Sequence, residues 1–202
     1  EVVPALADRL EAIHREVAEN GRAMEEIEIT GETASAPGRR RSWRLSSFPI
    51  VGPQGQRLGI GGVVTETTDM KRTEATLQRW RQVFEQADWG VVVGSADGRT
   101  LEMMNPAYAR MHGYRVDELT GQPIEIVYAP EVRKDVPAII ARNHELGHRR
   151  FESIHVHRDG HTFPVLVDAT VVRDDAGEML FRVVNVQDIT DLRRAQDEMR
   201  VA

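Results

Sequence analysis

Histidines and carboxylates are the groups that could carry chemistry in this chain, because it has no cysteine and hence no thiolate nucleophile, disulfide or iron–sulfur ligand. His155, His157 and His161 gather around Asp159-Gly160. A strand leading into that dipeptide would place His155 and His157 on one face, as metal ligands require. No further imidazole or carboxylate is evident converging on them, so a solvated hairpin is expected, and no metal site. His144 and His148 lie near the end of a helical stretch, where His144 could turn inward. His14 lies on another helix and is expected to be solvated.

Serine, histidine and aspartate are otherwise scattered, with no Gly-x-Ser-x-Gly elbow, Walker loop or His-Glu-x-x-His pair. Gly59-Ile60-Gly61-Gly62 has the composition of a phosphate loop, but it lies in a strand-like run with no helix N-terminus following to supply amide donors. A bulge or a close strand approach is expected there instead. No catalytic residue is assigned, and this stretch is expected not to be an enzyme. A net charge of −6 disfavours phosphate binding, so no nucleic-acid partner is expected. Arg39-Arg40-Arg41 is the basic exception, expected at a solvated hairpin tip.

The elements that must position these residues recur along the chain. Residues 37–80 and 159–202 superpose without a gap at an offset of 122, so Pro37-Gly38 falls on Asp159-Gly160, Gly55 on Gly177 and Thr68-Asp69 on Thr190-Asp191. Between these turns lie strand-like runs, Trp43 to Ile50 against Val165 to Val172 and Leu58 to Thr65 against Leu180 to Gln187. Upstream of the second copy there are two further strands, about Trp89 to Val93 and Thr100 to Met104, joined by Ala96-Asp97-Gly98-Arg99. Asn105-Pro106 then caps a short helix, a second turn spans Val116 to Leu119, and a longer helix runs from Pro130 to Leu146. The first copy has one amphipathic helix, Pro4 to Asn20, with Leu6, Leu10, Ile13 and Val17 on one face, and three strands.

Strands, short helices, then three more strands imply an α+β fold: a five-stranded antiparallel sheet with helices on one face, plus a partial copy. The boundaries are a remnant of one helix and three strands at 1–68, a connecting amphipathic helix at 69–87, a complete domain at 88–190, and the start of an output helix at 191–202. A three-stranded remnant leaves a sheet face without cover. In the connecting helix Met70, Thr73, Leu77, Trp80, Phe84 and Ala87 follow an a/d spacing, and Leu192, Ala195, Met199 and Ala202 repeat its first four places. An inter-chain seam and a helix lying on its own domain both fit that pattern.

Ala96-Asp97-Gly98-Arg99, Asn105-Pro106-Ala107-Tyr108, His112-Gly113-Tyr114, Asp117 to Gly121, Arg158 to Val165 and Asp188-Ile189-Thr190, in that order, resemble a PAS domain with its C-terminal PAC motif. The first copy resembles only the PAC half, with Glu66-Thr67-Thr68-Asp69 at its end. The resemblance implies a sheet cupping a small cavity and a sensory or relay role in a multidomain signalling protein, foremost a sensor histidine kinase. A ligand-free dimerisation module, or the regulatory part of a diguanylate cyclase or serine phosphatase, is the alternative. It also implies a homodimer, a downstream effector domain, and relay through Asp188, Thr190, Asp191 and Leu192, with Met70, Leu77 and Phe84 in the connecting helix.

The family's flavin photoreceptors attach their chromophore through cysteine, so flavin-cysteinyl chemistry is excluded and no covalent cofactor is expected. Haem is not expected either, because Asp135 or Val136 holds the position of the axial histidine. A non-covalent small molecule in the cup remains. Strand alternation and helix facing give its walls as Val91, Val93, Met103, Tyr108, Met111, Tyr114, Ile126, Ile140, Phe151, Val165, Val167, Val184 and Val186, with Asn105 and His144 as polar candidates. No apolar run reaches membrane-spanning length, so a cytoplasmic location is expected. The chain opens at Glu1, so a longer protein is expected, with room for a membrane anchor elsewhere.

Overall fold

Alternation along the longest strands sets the fold. A computed structural model describes residues 4–33 and 35–201, the side chains of residues 4–6 and 201 excepted, in two units divided at Arg79/Trp80. The side chain of Leu6 and all of Ala202, both placed on helical faces above, lie outside the described residues.

In the first unit α1 (Pro4–Asn20) lies on a three-stranded antiparallel sheet of β1 (Met24–Thr33), β2 (Ala36–Val51) and β3 (Arg57–Glu66). Ile13 and Val17 are buried on the helix, as are Ile29 and Leu45 on the sheet. Leu58, Val63 and Val64 stay more than half exposed on β3. Arg39-Arg40-Arg41 is not at a hairpin tip: the ladder continues through Arg41↔Gly31 to Ala36↔Thr33, so the arginines are strand residues. Gly61 lies under the ring of Phe48, its cross-strand partner, which is the close approach expected for that glycine run. Helix α2 (Thr68–Gln86) follows.

The second unit contains β4 (Gly90–Gly94), β5 (Leu101–Met104), α3 (Pro106–Met111), α4 (Val116–Leu119), 3-10 turns at Ile124–Val127 and Arg133–Asp135, α5 (Val136–Leu146), β6 (His148–Val156), β7 (Thr162–Arg173), β8 (Met179–Asp188) and α6 (Thr190–Val201). The long helix is shorter than expected, because its α-helical part begins only at Val136, just before Pro137. The strands form one antiparallel sheet in the order β5-β4-β8-β7-β6. On β7, Phe163, Val165, Val167 and Ala169 are buried while their neighbours are not, so one sheet face carries the core. Leu119, Val127 and Val136 close that core from the helical side.

The internal repeat extends to strand register. Trp43 pairs with Glu66 and Val165 with Asp188; Val51 pairs with Arg57 and Arg173 with Met179, and each hairpin has its irregularity at the same step. Equivalent residues in the two units therefore occupy equivalent ladder positions.

Candidate functional site

A small enclosed cavity of about 20 Å³ lies between the sheet and the helices of the second unit. That is room for one water molecule. Tyr108, Ile140, Val167, Val184 and Val186 of the expected wall line it, joined by Val92, Ile124, Tyr128, Ile139, Asn143, His155, Ala169 and Arg182. Val165 is buried in the surrounding core, with Met111, Tyr114, Ile126 and Phe151 packed against it.

Three expected wall positions face elsewhere. Val92 pairs with Val184 and Gly90 with Val186, so these residues share the inner face and Val91 and Val93 belong to the other. Met103 is 53% exposed. A register shift between Val93 and Gly94 lets Leu101 and Met104 both turn inward, leaving Glu102 and Met103 outside. On α5 it is Asn143, not His144, that is buried against the cavity; His144 lines a separate surface depression with Asp97 and Met179.

Asn105 does not present a free polar group. Its Oδ1 accepts from Tyr108 N (3.0 Å) and Val91 N (2.9 Å), and its Nδ2 donates to Trp89 O (2.9 Å). One side chain thus caps α3 and ties it to β4.

The polar wall is built instead by residues not assigned from the sequence. His112 Nδ1 lies 2.8 Å from the Tyr108 carbonyl, which can only accept, so that nitrogen carries the proton. His112 Nε2 is then an acceptor, and His155 Nδ1 donates to it at 2.9 Å. Among the described residues, His155 Nε2 is left as a buried acceptor without a partner, as is Asn143 Oδ1, while Arg182 Nε is a buried donor without one. Burial holds His112 down to about 4, against the pull of the Tyr108 carbonyl, and burial with the adjoining His112 holds His155 well below its usual value. Burial also lowers Arg182, opposed by Tyr128 and Asp97, and raises Tyr128 to about 12. A neutral imidazole acceptor, an amide oxygen and a guanidinium donor suit a water-sized molecule that both donates and accepts hydrogen bonds.

A signal for His155 was present, since it shares the parity of Phe151 on β6, which is buried toward the core. Burial at position 155 overturns the solvated-face expectation; only His157 and His161 reach the surface.

The exit from the sheet is equally defined. Asp188 Oδ1 accepts from Thr190 N (2.8 Å) and Thr190 Oγ1 (2.6 Å), turning the chain into α6. Ile189 between them is 3% exposed, its N donating to Pro164 O at 3.0 Å. The first unit repeats this junction: Thr67 N donates to Ser42 O at 2.8 Å, and Thr68 Oγ1 donates to Glu66 Oε1 at 2.8 Å. Lys71 on α2 pairs with Glu28 on β1, and Arg193 on α6 with Glu152 on β6. Glu28 faces Arg44 across the ladder and Glu152 faces Leu166, so the two ion pairs are equivalent. Beyond the junctions Asp191 and Leu192 are exposed, as are Met70 and Leu77, while Phe84 is partly covered.

Residues 89–191 match the PAS domain family, and residues 1–72 match the PAS fold. Sensor histidine kinase TmoS of Ectopseudomonas mendocina is 25% identical over 129 residues, 62% of this chain and 13% of that protein. The chain thus spans a small part of that relative's length. The PAS domain of a protein from Colwellia psychrerythraea superposes with a TM-score of 0.53 at 20% identity, covering 57% of this chain and 98% of that one. The PAS domain of an HTR-like protein from Haloarcula marismortui gives a TM-score of 0.49 at 28% identity, covering 60% and 98%. Among the described residues, no helix is long and apolar enough to cross a membrane.

Proposed function

The chain belongs to the PAS domain family, and on that premise we propose that it is the sensing and relay segment of a multidomain sensor histidine kinase. Residues 88–190 form the sensing domain, residues 1–68 the end of a preceding copy, and 69–87 and 191 onward the helices that carry the signal. The repeated junction carries this reading: in both units a buried residue plugs the sheet end, a hydroxyl–carboxylate bond turns the chain, and one basic residue latches the outgoing helix to a strand. A change in sheet geometry is thereby imposed on the helix, which is the two-state coupling that signalling needs.

The signal is proposed to be a small polar molecule that widens the water-sized cavity on entering it and is then held by His155, Asn143 and Arg182. Native mass spectrometry of the purified chain, followed by a melt screen with small polar metabolites, tests this. A co-purifying species, or a raised melting temperature that Asn143→Leu abolishes, is the expected result. Failure of both removes the ligand and leaves a ligand-free dimerisation and relay module. That second reading is favoured by the small cavity and by the exposure of Leu77, Trp80 and Met199 on the outgoing helices.

A further inference from the structure

The β6–β7 hairpin brings together a donor set that the sensing cavity does not use. His157 N donates to His161 O and Gly160 N to His157 O, both at 2.9 Å, so the turn holds residues 157, 159 and 161 in fixed relation. Asp159 Oδ1 lies 3.0 Å from His157 Nδ1 and 2.6 Å from His161 Nδ1. The two imidazoles stack with centroids 4.6 Å apart, and one ligand atom from each of the three residues falls within 4.8 Å of the others. Asp159 is the convergent carboxylate not recognised in the sequence.

Two features show that this arrangement is built rather than incidental. Gly113 is at φ +77°, a conformation that favours glycine, and a Cβ there would sit 2.3 Å from His157 Nε2, so the imidazole packs in the space this glycine leaves. Arg158 N also donates to His112 O at 2.9 Å, tying the hairpin to the helical layer. His157 Nδ1 also lies 3.3 Å from Asp159 N, so the ring nitrogen faces both the backbone and the carboxylate of Asp159.

We propose that His157, Asp159 and His161 form a binding site for a borderline divalent transition-metal ion of the zinc class. Two imidazole nitrogens and a carboxylate select such ions over calcium or magnesium, which prefer all-oxygen sites. Three protein ligands, with Asp159 and His161 largely exposed, leave the remaining coordination positions open to solvent.

Calorimetric titration of the untagged chain with Zn²⁺, with Co²⁺ absorption as an independent readout, tests the site. One ion per chain is expected, with affinity reduced at least about tenfold by His161→Ala or Asp159→Asn and binding abolished in the His157→Ala/His161→Ala double variant. His161 and Asp159 are exposed, so their single variants should melt as the parent does. His148→Ala should bind like the parent, because it removes a His–Asp pair at the far end of the same β6–β7 ladder that has no third ligand among the described residues. Absence of stoichiometric binding, or binding that persists in the double variant, overturns the proposal.

Discussion

His155 Nδ1 donates to His112 Nε2 at 2.9 Å inside the core of the second unit, and the Tyr108 carbonyl fixes the direction of that bond by taking the proton of His112 Nδ1. Two neutral imidazoles thus stand in a chain whose last nitrogen, His155 Nε2, is buried without a partner among the described residues, on a side chain that lines the cavity.

Stability should fall with acid because of this pair. Both histidines have folded values below the unfolded value near 6.5, so the unfolded chain binds more protons as pH drops. Their contribution is complete above about pH 6.5 and is lost progressively toward about pH 4, where His112 titrates in the fold, at about 1.4 kcal/mol per pH unit for each proton. Urea denaturation from pH 8 to 4.5 checks this, and His155→Phe should flatten the slope by one proton. A stability that stays level through that range would contradict the assigned charge states.

Asn105→Ala should cost about 2 kcal/mol, since it removes a helix cap and strands the part-buried Val91 N–H and Trp89 carbonyl. Asn105→Asp keeps the acceptor and should cost less. Equal losses in chemical denaturation would mean that the Nδ2 bond to Trp89, and not the cap, dominates.

At the output junction Ile189→Ala should destabilise by about 2–4 kcal/mol, because the side chain is buried at the sheet end. Thr190→Ala should cost about 1 kcal/mol, and Arg193→Ala, which removes an exposed ion pair, under about 1 kcal/mol. Hydrogen exchange in α6 should accelerate in all three variants. Protection unchanged in Arg193→Ala would show that the latch to Glu152 does not hold the helix.

Light scattering of the chain should report a dimer that Leu77→Ser with Phe84→Ser dissociates, because Leu77 is 65% exposed on a heptad-spaced face. A monomeric parent, or a dimer indifferent to these changes, would remove α2 as the seam.

Much of this molecule follows from local pattern. Asn105-Pro106 marks a helix start on its own, since a cap acts within one turn. The ungapped repeat already implies equivalent hairpins, because turns at Gly55 and Gly177 impose the register of the strands they join. Tyr108, Val167 and Val186 could be placed on the inner face for the same local reason, the period of helix and strand.

What the sequence by itself determined, then, is the order of elements, the repeated register and the junction motif into each outgoing helix. Tertiary structure decided which face of β4 is inner, because that parity is imposed by β8, some ninety residues away in the chain, through Val92↔Val184. It decided that Met104 and not Met103 is buried, through a shift in the β4–β5 ladder. The polar site belongs to this second group as well: His112 on the helical side, His155 on β6 and Arg182 on β8 acquire their proton positions and orphaned atoms only when burial removes water and leaves each group the neighbours the fold supplies.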